Sequence, residues 1–436
     1  MQTVKIIGAG LAGSEAALYL SSHGVNVRLI DIKPKKFTPA HTEENFAELV
    51  CSNSLKSSDI YGNAAGLLKE EMRRLGSFVI AAADKTKVPA GGALAVNRTD
   101  FSRMITEEIK SRDNIEIFSE EVTGIEGKEL TIIATGPLTT DALSSAIAEK
   151  TGGGLYFFDA SAPIVSAESI DMSSAFIGDR YEKGNGDHLN CPMTKEEYEA
   201  FIEALLSAER AELHGFENSA VFEGCMPIEV MARRGKDTLR FGPLKPVGLT
   251  DPKTGRWAYA CLQLRKEDEA GSMYNLVGFQ TNLKFPEQRR VFGMIPALKN
   301  AEFLRYGVMH RNTFINSPEC LNPNLSLKNA ENVLFAGQIT GVEGYVESAG
   351  TGLLAAIYAE RKLKGKKEVL ISDKTVLGAL MKYITTPNLS FQPMNANFGI
   401  MPPTGEKIRD KAERKRKIAE RSLSEIEGYK SLLDRE

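Results

Sequence analysis

The 436-residue sequence has few of the residues that build metal centres or disulfide frameworks. Its five cysteines are odd in number and scattered, and no two form a CxxC pair. Its five histidines are isolated and show neither HExxH nor Cys-Cys-His-His spacing. We therefore expect no metal site, and we expect free thiols in a reducing cytoplasm.

Long apolar runs are also missing. No stretch of about 18 apolar residues could cross a membrane, and the N-terminal MQTVKIIGAG does not resemble a signal peptide. The net charge of −3 gives no global attraction to nucleic acid, so any basic surface must be local. With 42% apolar residues and a length beyond one hydrophobic core, we expect a globular protein of two domains, or one domain with an insertion.

A glycine-rich loop follows the first predicted strand. Residues 3–7 (TVKII) are typical of a buried strand, and GAGLAG then gives Gly8, Gly10 and Gly13 in a GxGxxG pattern before a predicted helix. The next predicted strand ends at Asp31, whose carboxylate can accept from a ribose hydroxyl. The sequence therefore predicts a dinucleotide site formed by the loop residues Gly8, Ala9, Gly10, Leu11, Ala12 and Gly13, together with Asp31.

Two later segments repeat this strand-and-loop pattern. LTIIATGP (130–137) leads to Gly136, and NVLFAGQITGVEGYVESAG (332–350) brings Gly337, Gln338 and Gly344 before a Gly- and Ala-rich helix. A plain NAD dehydrogenase would not need the last segment, so the pattern favours FAD. The expected fold class is α/β: a two-nucleotide, glutathione-reductase-type FAD-binding Rossmann-like domain with an inserted mixed α/β domain. Gln338 stands where many such flavoproteins have aspartate.

The βαβ rhythm stops in the middle of the chain. A helical pattern (194–213) is followed by strand-like runs at 239–249, 256–266 and 274–283. We therefore predict an FAD-binding domain in two parts, 1–170 and 315–436, the second with a C-terminal helical tail, and an inserted mixed α/β domain at 171–314.

Two cysteines are candidates for chemistry. Cys51 precedes polar residues in a loop or at the start of a helix, with Lys56 nearby. A helix start and a nearby cation would both favour a thiolate. Cys225 lies between Gly224 and Met226, where the alternative is a buried structural cysteine. Cationic residues follow it and are candidates for contacting RNA phosphates: Arg233, Arg234, Lys236 and Arg240.

Long motifs in this order resemble one family, the folate- and FAD-dependent tRNA (uracil-5-)-methyltransferases (TrmFO), which are related to the GidA flavoproteins. The motifs are GAGLAGSEAA, ELVCSNSLKS, VPAGGALAVNR, FEGCMPIEVMARRG, LRFGPLKPVGL, YGVMHRNTFINSP, FAGQITGVEGYVESA and FQPMNANFG, and they cover essentially the whole chain.

The resemblance implies methylation of C5 of a T-loop uridine in tRNA. Methylenetetrahydrofolate would give the carbon, and FADH2, regenerated by NADH or NADPH, would give the hydride. It further implies that Cys225 adds to C6 of uracil and that Cys51 acts as a second thiol at the flavin. His310 and Arg311 are weaker candidates for the folate site.

Alternatives remain open at this stage. The same chemistry could act on a ribosomal RNA uridine. A GidA-type wobble-uridine activity would call for a long helical C-terminal domain, whereas only about 80 residues follow the last flavin motif. A flavin-dependent thiol-redox enzyme would need two cysteines that meet in space.

Overall fold

The computed structural model of the chain describes residues 3–38, 40–182, 186–211, 226–267, 270–307, 309–388, 391–405 and 408–435. Side chains are described for these residues except at 154–160, 182 and 309–312. Two six-stranded sheets organise the described part of the chain, and each carries its own hydrophobic core.

The first sheet is a buried, mainly parallel sheet with the strand order β16-β17-β7-β1-β2-β6. Its strands are β1 (Thr3–Ile7), β2 (Asn26–Asp31), β6 (Ile115–Ser119), β7 (Thr131–Ile133), β16 (Ser326–Leu327) and β17 (Ala330–Phe335). Only the β16–β17 pair is antiparallel. Ile6, Leu29, Ile132 and Leu334 stand in register across four strands and are almost fully buried, as expected for a parallel sheet covered on both faces.

Helices cover this sheet. They are α1 (Leu11–Ser22), α2 (Ala64–Arg74), α3 (Phe78–Lys85), α4 (Arg98–Lys110), α5 (Asp141–Thr151), α10 (Ser317–Cys320), α11 (Tyr345–Leu363), α12 (Val376–Thr385) and α13 (Lys411–Arg435). The closest approach is between α1 and α11, where a Cβ on Gly352 would lie 2.2 Å from the carbonyl oxygen of Ala12. Glycine at this position lets both helices begin beside the same strand ends.

Two buried carboxylates join these helices. Glu15 on α1 accepts from the backbone N–H groups of Phe78 and Val79 at the start of α3 (3.0 and 2.8 Å). Glu71 on α2 accepts in the same way from Val376 and Leu377 at the start of α12 (2.7 and 2.9 Å). Burial raises the pKa of each carboxyl to about 7. Both groups cap helix N-termini that would otherwise keep unpaired donors.

The second sheet is antiparallel, with the order β10-β11-β12-β13-β9-β14. Its strands are β9 (Ile164–Ser166), β10 (Phe176–Ile177), β11 (His188–Met193), β12 (Ala260–Lys266), β13 (Met273–Leu276) and β14 (Phe303–Arg305). One face packs on α6 (Lys195–Ser207), α7 (Ile228–Arg233), α8 (Thr238–Phe241) and α9 (Phe285–Phe292).

Two smaller sheets complete the topology. β8 (Gly154–Ala160) and β15 (Met309–Ile315) form an antiparallel ribbon where the chain enters and leaves the second sheet. β3 (Ser54–Ser57), β5 (Ala93–Val96) and β4 (Lys87–Val88) form a three-stranded sheet beside the first.

The expected α/β class with an inserted mixed α/β region is confirmed. The inserted sheet begins at Ile164, upstream of the predicted boundary at 171, and the domain boundaries stay a prediction. The strand predicted at 239–249 is wrong, because this segment contains α8 followed by turns.

We expect Gly352→Ala to lower the free energy of unfolding by about 3 kcal/mol, because the added methyl group must push α11 away from the backbone of α1. The matched control is Gly428→Ala on α13, where a Cβ meets nothing within 4 Å. It should raise the stability by up to about 1 kcal/mol. Denaturant unfolding followed by circular dichroism measures both, and equal effects would contradict a tight α1–α11 contact.

Candidate functional site

A large cavity lies along the carboxyl edge of the first sheet. It contains about 1110 Å³ of atom-free space, part of it open to solvent. The carboxyl ends of parallel strands are where α/β proteins bind ligands. Most of the predicted cofactor residues line it: Gly8, Ala9, Gly10, Leu11, Ala12, Asp31, Gly136, Gly337 and Gln338.

Glycine is required at two positions of the first loop for different geometric reasons. Gly8 has a φ of +97°, and a Cβ there would lie 2.6 Å from the carbonyl oxygen of Ala134. Gly13 is not among the lining residues. A Cβ on Gly13 would lie 1.8 Å from the carbonyl oxygen of Gly8, so Gly13 allows α1 to start directly against the loop.

The start of α1 has the properties of an anion site. Its N-cap, Gly10, supplies no side-chain hydrogen bond, and its first turn contains no acidic residue. Asp31 stands beside this loop and accepts from the backbone N–H of Ala9 (2.7 Å) and of Lys33 (2.9 Å). The carboxylate keeps further lone pairs for a ligand hydroxyl. The N–H groups that open α1 therefore remain available to a phosphate.

The third strand-and-loop segment contributes unequally. Gly337 (φ +85°) and Gln338 line the cavity, and the Gln338 amide donates to Glu343 (2.7 Å). Gly344 (φ +130°) does not line it. A Cβ there would lie 2.1 Å from a carboxylate oxygen of Glu347, so this glycine instead makes room for the turn into α11.

The sequence predictions missed several lining residues, among them Glu48, Glu120, Val122 and Tyr345. A signal existed for Glu120, because it follows β6, and the parallel β2–β6 pairing carries it to the same edge as Asp31. Glu48 lies between elements, and no local pattern marks it.

Cys51 lies next to this cavity in a bend before β3, and the helix considered for this position is absent from the described segment 40–57. The backbone N–H groups of Cys51 and Ser52 both donate to the Tyr345 hydroxyl, at 2.7 and 3.2 Å. Burial raises the pKa of this hydroxyl far above its ordinary value, so Tyr345 stays protonated. The first residue of α11 thus fixes the backbone that carries the thiol.

The cations near Cys51 differ from the expected one. Lys56 pairs with the buried carboxylate of Glu347 (2.8 Å). Instead of Lys56, three arginines from other elements lie near Cys51. Arg98 donates to the carbonyl of Leu49 (2.8 Å), and Arg265 donates to the hydroxyl of Ser52 (2.7 Å).

The third arginine is Arg305, at the end of β14. Burial lowers its pKa, as does the charge of Arg98, whereas negative charge at Glu48 and at the Cys51 thiolate acts in the opposite direction. Burial acts to lower the pKa of Arg98 as well, but its ion pair with Glu267 leaves that pKa raised. A thiol in such an electropositive place favours its reactive thiolate form.

Three other predicted residues are described only in part or not at all. Cys225 is outside the described residues. His310 and Arg311 lie on β15, paired in register with residues 159 and 158. Their side chains are not described, but β15 reaches the cavity, because the Thr313 N–H donates to the carbonyl of Pro137, a lining residue (2.8 Å).

The predicted RNA-contacting residues lie on and between α7 and α8. Arg233, Arg234 and Lys236 are exposed. Arg240 is half-buried, with its guanidinium 3.6 Å from the centre of the Tyr259 ring and bound to Asp237 (2.9 Å). Two exposed aromatic residues extend this surface: Phe241 and Trp257, which are 80% and 54% exposed.

Within the described residues, no group of three or more His, Cys, Asp or Glu side chains is arranged to hold a metal ion. Nor does that part of the chain contain a helix that is long and apolar enough to cross a membrane.

Comparison with known proteins gives consistent matches. The family described as "Glucose inhibited division protein A" matches residues 3–367. Methylenetetrahydrofolate–tRNA-(uracil-5-)-methyltransferase TrmFO of Acetivibrio thermocellus is 57% identical over 430 residues, covering 98% of each chain. The protein of the same name from Lactobacillus acidophilus is 55% identical over 433 residues, covering 99% of each.

Among solved structures, GidA of Aquifex aeolicus in its form II crystal superimposes with a TM-score of 0.70 at 17% identity. The match covers 99% of this chain and 76% of GidA. The form I crystal gives the same TM-score at 18% identity and covers 78% of GidA. These two structures show the fold.

Among the described cysteines, we expect iodoacetamide at pH 8 to alkylate Cys51 first, because three guanidinium groups surround it. Burial raises the pKa of Cys320 to about 11 and that of Cys261 to about 12. The thiolate fraction of Cys320 at pH 8 is then about one thousandth. Peptide mass spectrometry measures each site, with Cys51→Ser as the control. Labelling of Cys320 as fast as that of Cys51 would contradict this ranking.

Proposed function

The chain belongs to the glucose-inhibited division protein A family, and we propose that within it the protein is a methylenetetrahydrofolate–tRNA-(uracil-5-)-methyltransferase acting on a T-loop uridine. The observation that carries the proposal is the match of more than half of all positions along nearly the full length of this chain and of its relatives. The cavity beside Cys51, which is lined by the predicted dinucleotide-binding loop, supports it.

The residues of the cavity fit FAD. Gly8 and Gly337 line the cavity with backbone alone, and the start of α1 offers unpaired N–H groups to a pyrophosphate. Asp31 would accept from a ribose hydroxyl. When bound and reduced, FAD supplies the hydride that completes the methyl group, and NADH or NADPH restores its reduced form.

The protein would activate uracil through a thiolate, since C5 alone is a weak nucleophile. The sulfur of Cys225 forms a bond to C6, and the C5=C6 electron pair moves through C4 onto O4 as an enolate. C5 can then bond to the folate methylene. Loss of the C5 proton and departure of tetrahydrofolate leave an exocyclic methylene at C5. Hydride addition to this methylene would give the methyl group and expel the Cys225 thiolate from C6, which restores the C5=C6 bond.

Cys51 would serve as the second thiol. Its backbone is fixed by Tyr345 and its surroundings are positive, so a thiolate there can take a proton from C5. The folate candidates His310 and Arg311 lie on β15, the strand that reaches the cavity at Pro137. A flipped-out uridine would enter between these elements.

We expect methylene-labelled methylenetetrahydrofolate, with NAD(P)H and unmodified tRNA, to label a T-loop uridine, whereas methyl-labelled S-adenosylmethionine does not. Cys225→Ala should abolish the labelling, because no thiolate then adds to C6. Cys320→Ala should retain it, because that thiol is largely protonated at neutral pH.

Labelling that persists in Cys225→Ala would contradict its role as the nucleophile. Label in ribosomal RNA but not in tRNA would contradict the tRNA assignment and favour the ribosomal alternative. No folate label in either RNA would contradict the methyltransferase proposal itself.

The exposed cations after Cys225 would hold RNA phosphates. We expect the double variant Arg233→Gln/Lys236→Gln to reduce the slope of log affinity for tRNA against log salt by about 1.5, because each phosphate contact releases counterions. The control Arg289→Gln/Arg290→Gln removes two exposed cations of α9. Filter binding across salt concentrations measures the slope for each double variant. Equal slopes for the two would contradict phosphate contacts by Arg233 and Lys236.

A further inference from the structure

Four residues form a single row across neighbouring strands of the second sheet. Arg265 pairs with Asn275, Asn275 with Ile164, and Ile164 with Arg305. Directly paired residues of antiparallel strands project from the same face. We call Arg265, Asn275 and Arg305 the donor row, because each offers N–H groups.

The donor row lies on the face opposite the core of the inserted sheet. Its strand neighbours Leu264, Leu276 and Val165 are fully buried in the core formed with α6, α7, α8 and α9. Because side chains alternate along a strand, Arg265 and Asn275 project away from that core. Arg305 is brought opposite Ile164, and so to the same face, by a register shift between Phe303 and Arg305 on β14.

The row faces Cys51. Arg265 donates to the side-chain oxygen of Asn53 (2.9 Å) and to the hydroxyl of Ser52 (2.7 Å), the two residues that follow the thiol. Arg305 interacts electrostatically with Cys51 and Glu48. The polar face of the inserted sheet therefore meets the loop that carries Cys51.

Two members of the row have unused donors. Asn275 is 3% exposed, and its Nδ2 finds no acceptor in the described part of the chain. Arg305 forms no ion pair with any described residue, although it is partly buried. Unpaired buried donors cost stability unless a ligand satisfies them, so the arrangement indicates a ligand with acceptor oxygens.

We infer that Arg305 and Asn275 form an oxyanion site for the O4 oxygen of the target uracil. The inference rests on the proposed function and adds residues to it. When sulfur bonds to C6, the C5=C6 pair becomes the C4=C5 bond and the former carbonyl pair rests on O4. Donors already directed at O4 stabilise that charge without reorganising.

The composition of the donor row favours the uracil carbonyl oxygen O4 over a folate carboxylate as its ligand. A permanent carboxylate is normally matched by a bidentate guanidinium, as Glu267 is by Arg98 here. The row instead places a neutral amide between two cations, which suits a carbonyl oxygen that gains charge during the reaction. Such a group is neutral on entry, so removing it from water costs much less than removing a carboxylate.

The test is single-turnover release of tritium from tRNA that carries [5-³H]uridine, with the flavin-loaded enzyme in excess and methylenetetrahydrofolate and NAD(P)H present. We expect Arg305→Met to slow release by about 100-fold and Asn275→Asp by about tenfold. Arg305→Lys keeps the charge and should recover part of the rate. Arg290→Met, on the exposed side of α9, is the matched control and should release tritium at the wild-type rate.

Dissociation constants distinguish an oxyanion site from a site that binds folate or tRNA in the ground state. The inference requires that the dissociation constants of Arg305→Met for tRNA and for tetrahydrofolate stay within about twofold of wild type, since O4 gains charge only after binding. Weakened tetrahydrofolate binding with unchanged release would overturn the inference and assign the row to folate. Unchanged release and binding would also overturn it.

The wild-type enzyme tests the proposed function separately. If wild type released no tritium from tRNA, the proposed function as a tRNA methyltransferase would fail, and the oxyanion site for a tRNA uracil would fail with it. Normal wild-type release with unaffected variants would contradict the oxyanion site alone.

Discussion

The ion pair between Arg98 and Glu267 is the contact on which the arrangement of the site depends. Arg98 begins α4 beside the first sheet, and Glu267 directly follows β12 of the second. Two hydrogen bonds of 2.6 and 3.1 Å join them, and Arg98 also binds the carbonyl of Leu49. A buried pair adds little net stability, but loss of one partner costs about 3–5 kcal/mol because a charge is left unpaired. The pair therefore acts mainly by fixing one alignment of the two sheets, with Cys51 between them.

The inserted sheet has two different faces, and in this alignment each has its own role. One face is apolar and packs on its own helices, so the insertion has a core that does not depend on the nucleotide domain. The other face is polar and meets the loop that contains Cys51. Tyr345 holds that loop from the opposite side through its hydroxyl. Each domain thus supplies part of the surroundings of one thiol, which explains why neither domain alone carries a complete site.

Local patterns were sufficient for the nucleotide half of the structure. The GxGxxG loop and Asp31 are close in sequence, and the reason for each glycine is steric and local. The strand expected at 239–249 is wrong. Its apolar content resembles a strand, but its glycines and prolines produce turns after α8. The donor row could not be predicted from local sequence patterns, because it depends on the register of strands far apart in the sequence. Lys56 was a plausible partner for Cys51 by proximity, but the buried Glu347 binds it instead.

The ribbon of β8 and β15 has a consequence for how such a protein can arise. The chain leaves the nucleotide domain along one strand and returns along the other, paired in register from Gly154 with Ile315 to Ala160 with Met309. Both ends of the insertion therefore meet at one narrow junction. Insertions with adjacent ends are tolerated because they leave the host connections unchanged. A different insertion at the same junction would therefore leave the host sheet and its connections intact.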